Sequence, residues 1–351
     1  MKQYLLPENG NFYKANLHVH TTVSDGATTP EETKAGYVEH GYSIVAFTDH
    51  EVFVPQNALT DEHFLAINAV ELAVNDGWPG GFKYNKSTHL NLYAMDPNKT
   101  DCAVCSGKFV WLEQSKPYIS EAAANNKYRK HYSVAAYNDL IRKARADGFL
   151  TCYNHPVWSM HNYSDYSGMQ GLWGVEVYNT GSARGGMEDT VQPFEDLLNQ
   201  GQHLVPVAAD DAHSLGGSAY GGWTMVKADQ LEYVTVMEAL ERGDCYSSNG
   251  PEIKELYIED GVVHMTTSEA VFVRLVTSIR YKHVKHGTEE EPVTEVAFDI
   301  NPFIEGEKEC RATRTAPWFR LEVKDRRGKH AWTRAYFLDE LQEAPHEEEA
   351  K

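Results

Sequence analysis

A chain of 351 residues, 42% hydrophobic and 24% charged, is long enough for one large α/β domain or two smaller ones, and its composition excludes a disordered or fibrous protein. Its 51 Asp and Glu against 32 Lys and Arg give a formal net charge of -19. That balance repels a long phosphate backbone and excludes a sequence-reading nucleic-acid binder, but a small anion is still admissible, since bound metal reverses the charge locally.

In chain order, Met1 to Asn16 lacks the apolar core of a secretory signal, and no later window approaches the roughly 20 apolar residues of a membrane helix. The expectation is a cytoplasmic protein with no membrane partner. Five cysteines at 102, 105, 152, 245 and 310 are irregularly spaced and fit a reducing compartment. Thr29 as N-cap, Pro30 at the first helical position and Glu32 two residues later predict a helix that stops at Gly41 and feeds a buried strand over Ile44 to Phe47. Further apolar runs lie at Ala69 to Val74, His89 to Ala94, Phe149 to Tyr153, Gly174 to Tyr178 and Leu204 to Ala209, with helical stretches at Ala135 to Ala146 and Val191 to Asn199. This alternation predicts a parallel sheet or barrel. From Gly250-Pro251 the texture changes to short runs rich in Val, Phe and Tyr, with an Asp260-Gly261 hairpin turn, so residues 251–340 are read as an antiparallel β domain and 341–351 as an acidic tail.

The predicted strands of the first 250 residues end repeatedly in side chains able to bind metal. His18 and His20, at i and i+2, point to one side of an extended segment and are followed by Asp25 in a turn; then come Asp49-His50, Glu71, His89, Asn154-His155 and Asp210-Asp211-Ala212-His213. A single histidine at a strand end is ordinarily structural. Six histidines and three carboxylates brought together would leave polar groups buried without partners, an arrangement that divalent metals resolve.

The series HVHTTVSDG, AFTDH, AVELAV, THLNLYA, YNHP and ADDAH resembles the PHP (polymerase and histidinol phosphatase) domain, and in particular its stand-alone metal-dependent phosphoesterases. The resemblance spans about residues 14 to 250. It implies an α/β fold, a distorted (β/α)7 TIM-like barrel over 1–250, with the β-sandwich-like domain of 251–340 following as a cover for the pocket or an assembly surface. It also implies three divalent metal ions. The first would be held by His18, His20, Glu71 and Asp211; Glu71 would bridge to a second on His89 and His155; Asp25, His50 and His213 would hold a third. The stretch between Glu71 and His89 is longer than in simpler members, and Pro97 to Tyr132 is an insertion relative to them.

The implied chemistry is hydrolysis of a small phosphomonoester or nucleotide-type phosphodiester by a metal-bridging hydroxide, with Glu71, Asp211 and His213 as the catalytic group. Zn, Fe and Mn suit nitrogen and oxygen ligands comparably. The same water activation would serve an amide or lactone hydrolase, and a non-catalytic metal-stabilised scaffold is a further alternative. Asp49 and Asp210 are read either as carboxylates that orient neighbouring imidazoles or as turn residues. Glu176 is given a structural role. Arg184, in a glycine-bearing loop, is read as a phosphate clamp or an exposed loop residue, and Trp223 as a stacking platform or a packing anchor. Cys102-Ala103-Val104-Cys105 lacks a second pair to complete a zinc site. The partner is thus a small phosphorylated substrate; oligomeric state is open.

Overall fold

A computed structural model describes residues 2–77, 85–188, 190–310 and 316–341, with the side chains of 309–310 excepted. The chain begins with a short strand, β1 (Lys2–Tyr4), and a long one, β2 (Asn11–Val19). Helix α1 (Pro30–Glu39) starts where the sequence places it: Thr29 accepts from the Glu32 amide at 3.2 Å, and the Glu32 carboxylate accepts from the Thr29 amide at 2.9 Å. Such reciprocal capping satisfies two otherwise orphaned donors. Strands β3 (Ile44–Phe47), β4 (Leu65–Asn75) and β5 (Ser87–Ala94) follow, then the short helix α2 (Glu121–Asn125), α3 (Val134–Ala146) and β6 (Phe149–Tyr153). Next come α4 (Tyr163–Tyr166), β7 (Gly174–Asn179), α5 (Thr180–Arg184), α6 (Gln192–Leu198), β8 (Val205–Ala209), β9 (Trp223–Ala228), α7 (Tyr233–Arg242) and β10 (Cys245–Ser248).

Among the described residues these strands form a large mixed sheet in the order β10-β9-β2-β3-β4-β5-β6-β7-β8. The expected parallel arrangement holds for β2-β3-β4 and β6-β7-β8, but β5 runs antiparallel to both β4 and β6, and β9 antiparallel to β2. Beyond β8 the chain returns to the end of β2: the Asp211 amide donates to the His18 carbonyl at 2.9 Å and the His20 amide to the Ala212 carbonyl at 3.0 Å.

The C-terminal strands are β11 (Ile253–Glu259), β12 (Val262–Ala270), β13 (Phe272–Thr277), β14 (Lys282–His286), β15 (Val293–Asp299), β16 (Trp318–Lys324), β17 (His330–Thr333) and β18 (Tyr336–Phe337). The hairpin predicted at Asp260-Gly261 is present, with Glu259 paired to Val262 and φ of 50° and 76° at the two turn residues. Two positive φ values match the right-handed twist of the flanking strands. β11, β12 and β15 make a four-stranded sheet with β1, which comes from the other end of the chain, while β13, β14, β16 and β17 extend the large sheet through β10. Leu256, Val263 and Val296 of the first sheet share a core with Leu275, Leu321 and Val323 of the second. The stretch is not all β: α8 (Asn301–Cys310) follows β15, and its sequence pattern was overshadowed by the strand-rich runs on either side. No helix among the described residues is long and apolar enough to cross a membrane.

A buried ion network ties this region to the rest. Arg320 on β16 has no exposed side-chain surface; it donates to Glu195 of α6 and lies 3.4 Å from Glu322, which also accepts from Arg274 at 2.7 Å and pairs with His330 at 2.8 Å. Burial pushes the Glu322 carboxyl up, but His330, Arg320 and Arg274 outweigh it and hold it down to about 2, against an ordinary value of 4.5. A carboxyl depressed in the folded state contributes stability above its unfolded pKa and loses it as pH falls through the folded one. Melting temperature is therefore expected to fall between pH 4.5 and 2, and Glu322→Gln to lower it at pH 7 while flattening that slope. Equal slopes in both proteins would assign the acid sensitivity elsewhere.

Candidate metal centre

The nine side chains singled out above come together. His18 on β2 and His20 just past its end face the same site, and the turn after them is locked by Asp49, which accepts from the Thr21 amide (2.8 Å), the Thr21 hydroxyl (2.9 Å) and the Ser24 hydroxyl (2.7 Å). Gly26 is required in that turn because a Cβ there would meet the His20 carbonyl oxygen at 2.3 Å. The turn sets Asp25 3.6 Å from both His20 and His50 and 3.5 Å from His213. Parallel strands present their carboxyl ends to this rim, and antiparallel β5 presents its start, so His89 is the third residue of its strand. Glu71 sits within β4, just past the stretch paired with β3.

Glu71 is the hub. Its carboxylate lies 3.3 Å from His18, His20 and His155, 3.1 Å from His50 and 3.0 Å from His89, and it accepts from the Asn154 amide at 2.9 Å. Asp211 lies 3.0 Å from His20 and 3.4 Å from His18. Among the described residues, four overlapping groups have ligand atoms close enough to share an ion: His20, Asp25, His50 and His213; His18, His20 and Asp211; His50, Glu71 and His89; His18, His155 and Glu176.

The donor set fits divalent metal. His18 Nδ1 donates to Glu176 at 2.7 Å, which leaves the Nε2 lone pair facing Glu71, Asp211 and, at 3.3 Å, His20 Nε2. His50 Nδ1 and Asp211 Oδ1 are buried and carry no hydrogen bond. Lone pairs crowded together without donors are costly unless a cation sits among them. The electrostatics show the same demand for a cation, which protons on the imidazoles meet when no metal is bound. Burial disfavours charge on His18, yet Asp211, Glu71 and Glu176 outweigh it and raise its pKa well above the ordinary value; burial likewise opposes Asp211 and Glu71 at His20, which is raised to about 10. Burial opposes ionisation of Glu71 and Asp211 too, but the imidazoles hold both well below the carboxylate range. At His50 burial dominates, helped by His20, and the imidazole is pushed down to about 3. His155 and Asp211 take φ of 27° and 51°, values that non-glycine residues adopt under local constraint and that cluster at functional sites.

Other expectations fare differently. Asp49 and Asp210 orient no imidazole. Asp210 accepts from Thr180, Tyr37 and the amides of Tyr220, Gly221 and Gly222, at 2.6 to 2.9 Å, and so ties down the glycine-rich loop; both carboxylates are turn-holders because backbone amides outcompete distant rings for them. The orienting carboxylate is Glu176, whose other oxygen accepts from the His155 amide at 2.9 Å and Asn179 at 3.0 Å. Its alternation with Val175 and Val177 on a buried strand was the available signal. Asn154, beside His155, was a second. Arg184 donates to the Ala219 carbonyl at 3.3 Å, and Trp223 lies under Lys14, 4.3 Å from its ammonium; neither is among the described residues lining the cleft. Cys102 and Cys105 are buried in an apolar cluster.

The cleft over the cluster encloses about 460 Å³ and is lined by Asp25, His50, Glu71, His89, His155, Asp211 and His213 together with Ala73, Asn75, Asn85, Trp111 and Trp158. Its described lining all precedes residue 214, so the C-terminal strands do not cover it there. The insertion does reach it, through Trp111. Lys130, at the insertion's end, is buried against both Glu51 oxygens and the Ala73 carbonyl, and Glu51 stands beside His50 with φ of 63°.

Residues 16–153 match the PHP domain family. No curated protein matches the chain. Among solved structures, one similar protein is a two-domain protein of Bacteroides vulgatus ATCC 8482 containing a predicted PHP-like metal-dependent phosphoesterase, at 14% identity and a TM-score of 0.45 over 96% of this chain and 98% of that one. Others are an amidohydrolase of Chromobacterium violaceum (16% identity, TM-score 0.41, 66% and 96% covered) and a Bifidobacterium adolescentis ATCC 15703 protein assigned as a metal-dependent phosphoesterase (15%, 0.37, 68% and 98%).

Proposed function

We propose that the chain is a metal-dependent phosphoesterase that hydrolyses a small phosphomonoester or a nucleotide-type phosphodiester at a centre of three divalent ions, Zn, Fe or Mn. The observation that carries this reading is the convergence of His18, His20, Glu71 and Asp211 within 3.0–3.4 Å, with His18 held in the tautomer that turns its lone pair inward. When bound, the ions supply a water of lowered pKa and positive charge toward the phosphoryl oxygens. Glu71 and Asp211 provide the negative charge that holds them, His89 and His155 complete one side, and Asp25, His50 and His213 complete the other. His213, with 42% of its side chain exposed, is the member of the set most open to the cleft.

In this reading residues 1–250 form a distorted (β/α)7 barrel, supported by the meeting of residues 18–20 with 211–213, and residues 251–340 a β-sandwich that buttresses it through Arg320 and Glu195. Cys102, Cys105, Cys152 and Cys245 are buried free thiols, which suits a reducing cytoplasm. The test is elemental analysis of tag-free protein with hydrolysis of p-nitrophenyl phosphate and its bis ester in added Mn, Fe or Zn. About three metals per chain and turnover of either ester are expected; metal without turnover of any phosphoester would overturn the proposal.

A further inference from the structure

Among the described residues two indole rings wall the cleft, and the hydrolysis proposed above uses neither. Trp158 packs against His155 and His89, with ring centroids 4.9 and 5.2 Å apart. Trp111 stands beside His50 at 6.0 Å, and His50 lies 5.6 Å from His89, so the indoles stand at opposite ends of that imidazole pair. Trp158 is half-buried, whereas Trp111 is 59% exposed.

The exposure of Trp111 does not come from a loose segment. Its neighbour Val110 is buried with Val23 and Val52, Gln114 donates to the Ser24 carbonyl at 2.6 Å, and fully buried Ser115 donates to the Val23 carbonyl at 2.8 Å. A large aromatic face held in water by an anchored segment, at the rim of a concave site, is accounted for by a ligand that covers it. Among the described residues, the lining outside the cluster and the indoles is neutral, with Ala73, Asn75 and Asn85, and the buried carbonyl oxygen of Asn85 carries no hydrogen bond. The phosphoryl group belongs at the buried cluster, so the rim meets the other part of the ester.

We infer that Trp111 is a stacking subsite for a planar aromatic group on the alcohol side of the phosphoester, with Asn85 Oδ1 accepting from a donor on that group. This rests on the phosphoesterase reading and narrows its substrate class. Stacking on an indole is tolerant of ring identity, so the subsite selects aromatic over aliphatic esters rather than one compound.

The test uses the metal-loaded full chain as wild type, Trp111→Ala and Trp111→Phe, with binding of phenylphosphonate and ethylphosphonate measured by calorimetry. Wild type is expected to prefer the phenyl compound, Trp111→Ala to lose that preference by roughly tenfold, and Trp111→Phe to keep most of it. The ratio of kcat/KM for p-nitrophenyl phosphate over glycerol phosphate should follow the same order. An unchanged phenyl-to-ethyl ratio in Trp111→Ala, or an equal loss for both phosphonates, overturns the subsite. Absence of turnover with both esters in wild type strikes at the hydrolysis instead and leaves the binding ratio to decide the subsite.

Discussion

Glu71→Gln is expected to strip metal from the protein and to lower kcat/KM for a phosphoester by at least about 10²-fold, because it removes the water activation that bound metal supplies. The carboxylate faces five imidazoles within 3.3 Å, so the substitution takes away the negative charge common to all of them. The amide keeps the volume and the Asn154 contact is replaceable, so packing alone predicts little change. Charge predicts a great deal. Without Glu71, the carboxylates left facing these imidazoles are Asp211, Asp25 and, on the outer side of His18, Glu176, so a bound cation would lose the counter-charge at the middle of the set. Elemental analysis and turnover on the same preparation read the result; full metal content with undiminished turnover would remove Glu71 from the centre.

Much of the fold was legible because the signals were local. The capping residues Thr29, Pro30 and Glu32 and the Asp260-Gly261 hairpin are set by backbone geometry within a few residues, and both are present as read. Strand direction is not a local property. The apolar run of β5 looks the same whichever way it points, and its direction is visible only in its long-range pairing with β4 and β6. The pairing of β1 with β11 joins residues more than 250 positions apart, and nothing in Lys2–Tyr4 announces its partner.

The candidate site was legible for a different reason. Histidine and carboxylate side chains at strand ends are chemically costly to bury, so their recurrence in order marks a shared destination even when the individual contacts are hidden. The supporting residues were less visible. Asp49 and Asp210 sit next to His50 and Asp211 in the chain, but adjacency in an extended segment sends consecutive side chains to opposite faces, and both are captured by backbone amides of nearby turns. Trp111 belongs to an insertion whose course no periodicity describes; its place beside His50 depends on Ser115 and Gln114 docking onto the turn at Val23 and Ser24.

Glu176→Gln tests the orientation of the centre rather than its charge, and a loss of roughly 10- to 100-fold in metal affinity or activity is expected. The two oxygens of Glu176 accept from His18 Nδ1, the His155 amide and Asn179. All three partners are donors in the folded protein, and glutamine supplies one acceptor where two are needed. If its NH2 faces His18, the ring must accept there and carry its proton on Nε2, aimed into Glu71 and Asp211 where a metal would lie. If its NH2 faces the other way, it opposes the His155 and Asn179 donors and leaves a buried group unsatisfied, at about 1–3 kcal/mol. The first outcome appears as weakened metal binding with little change in the melting temperature of metal-free protein, the second as a lowered melting temperature. Glu176→Asp keeps the acceptors but shortens the reach, and is expected to recover part of the loss. A glutamine variant that matches wild type in metal affinity, turnover and melting temperature would show that His18 takes its tautomer from something other than Glu176.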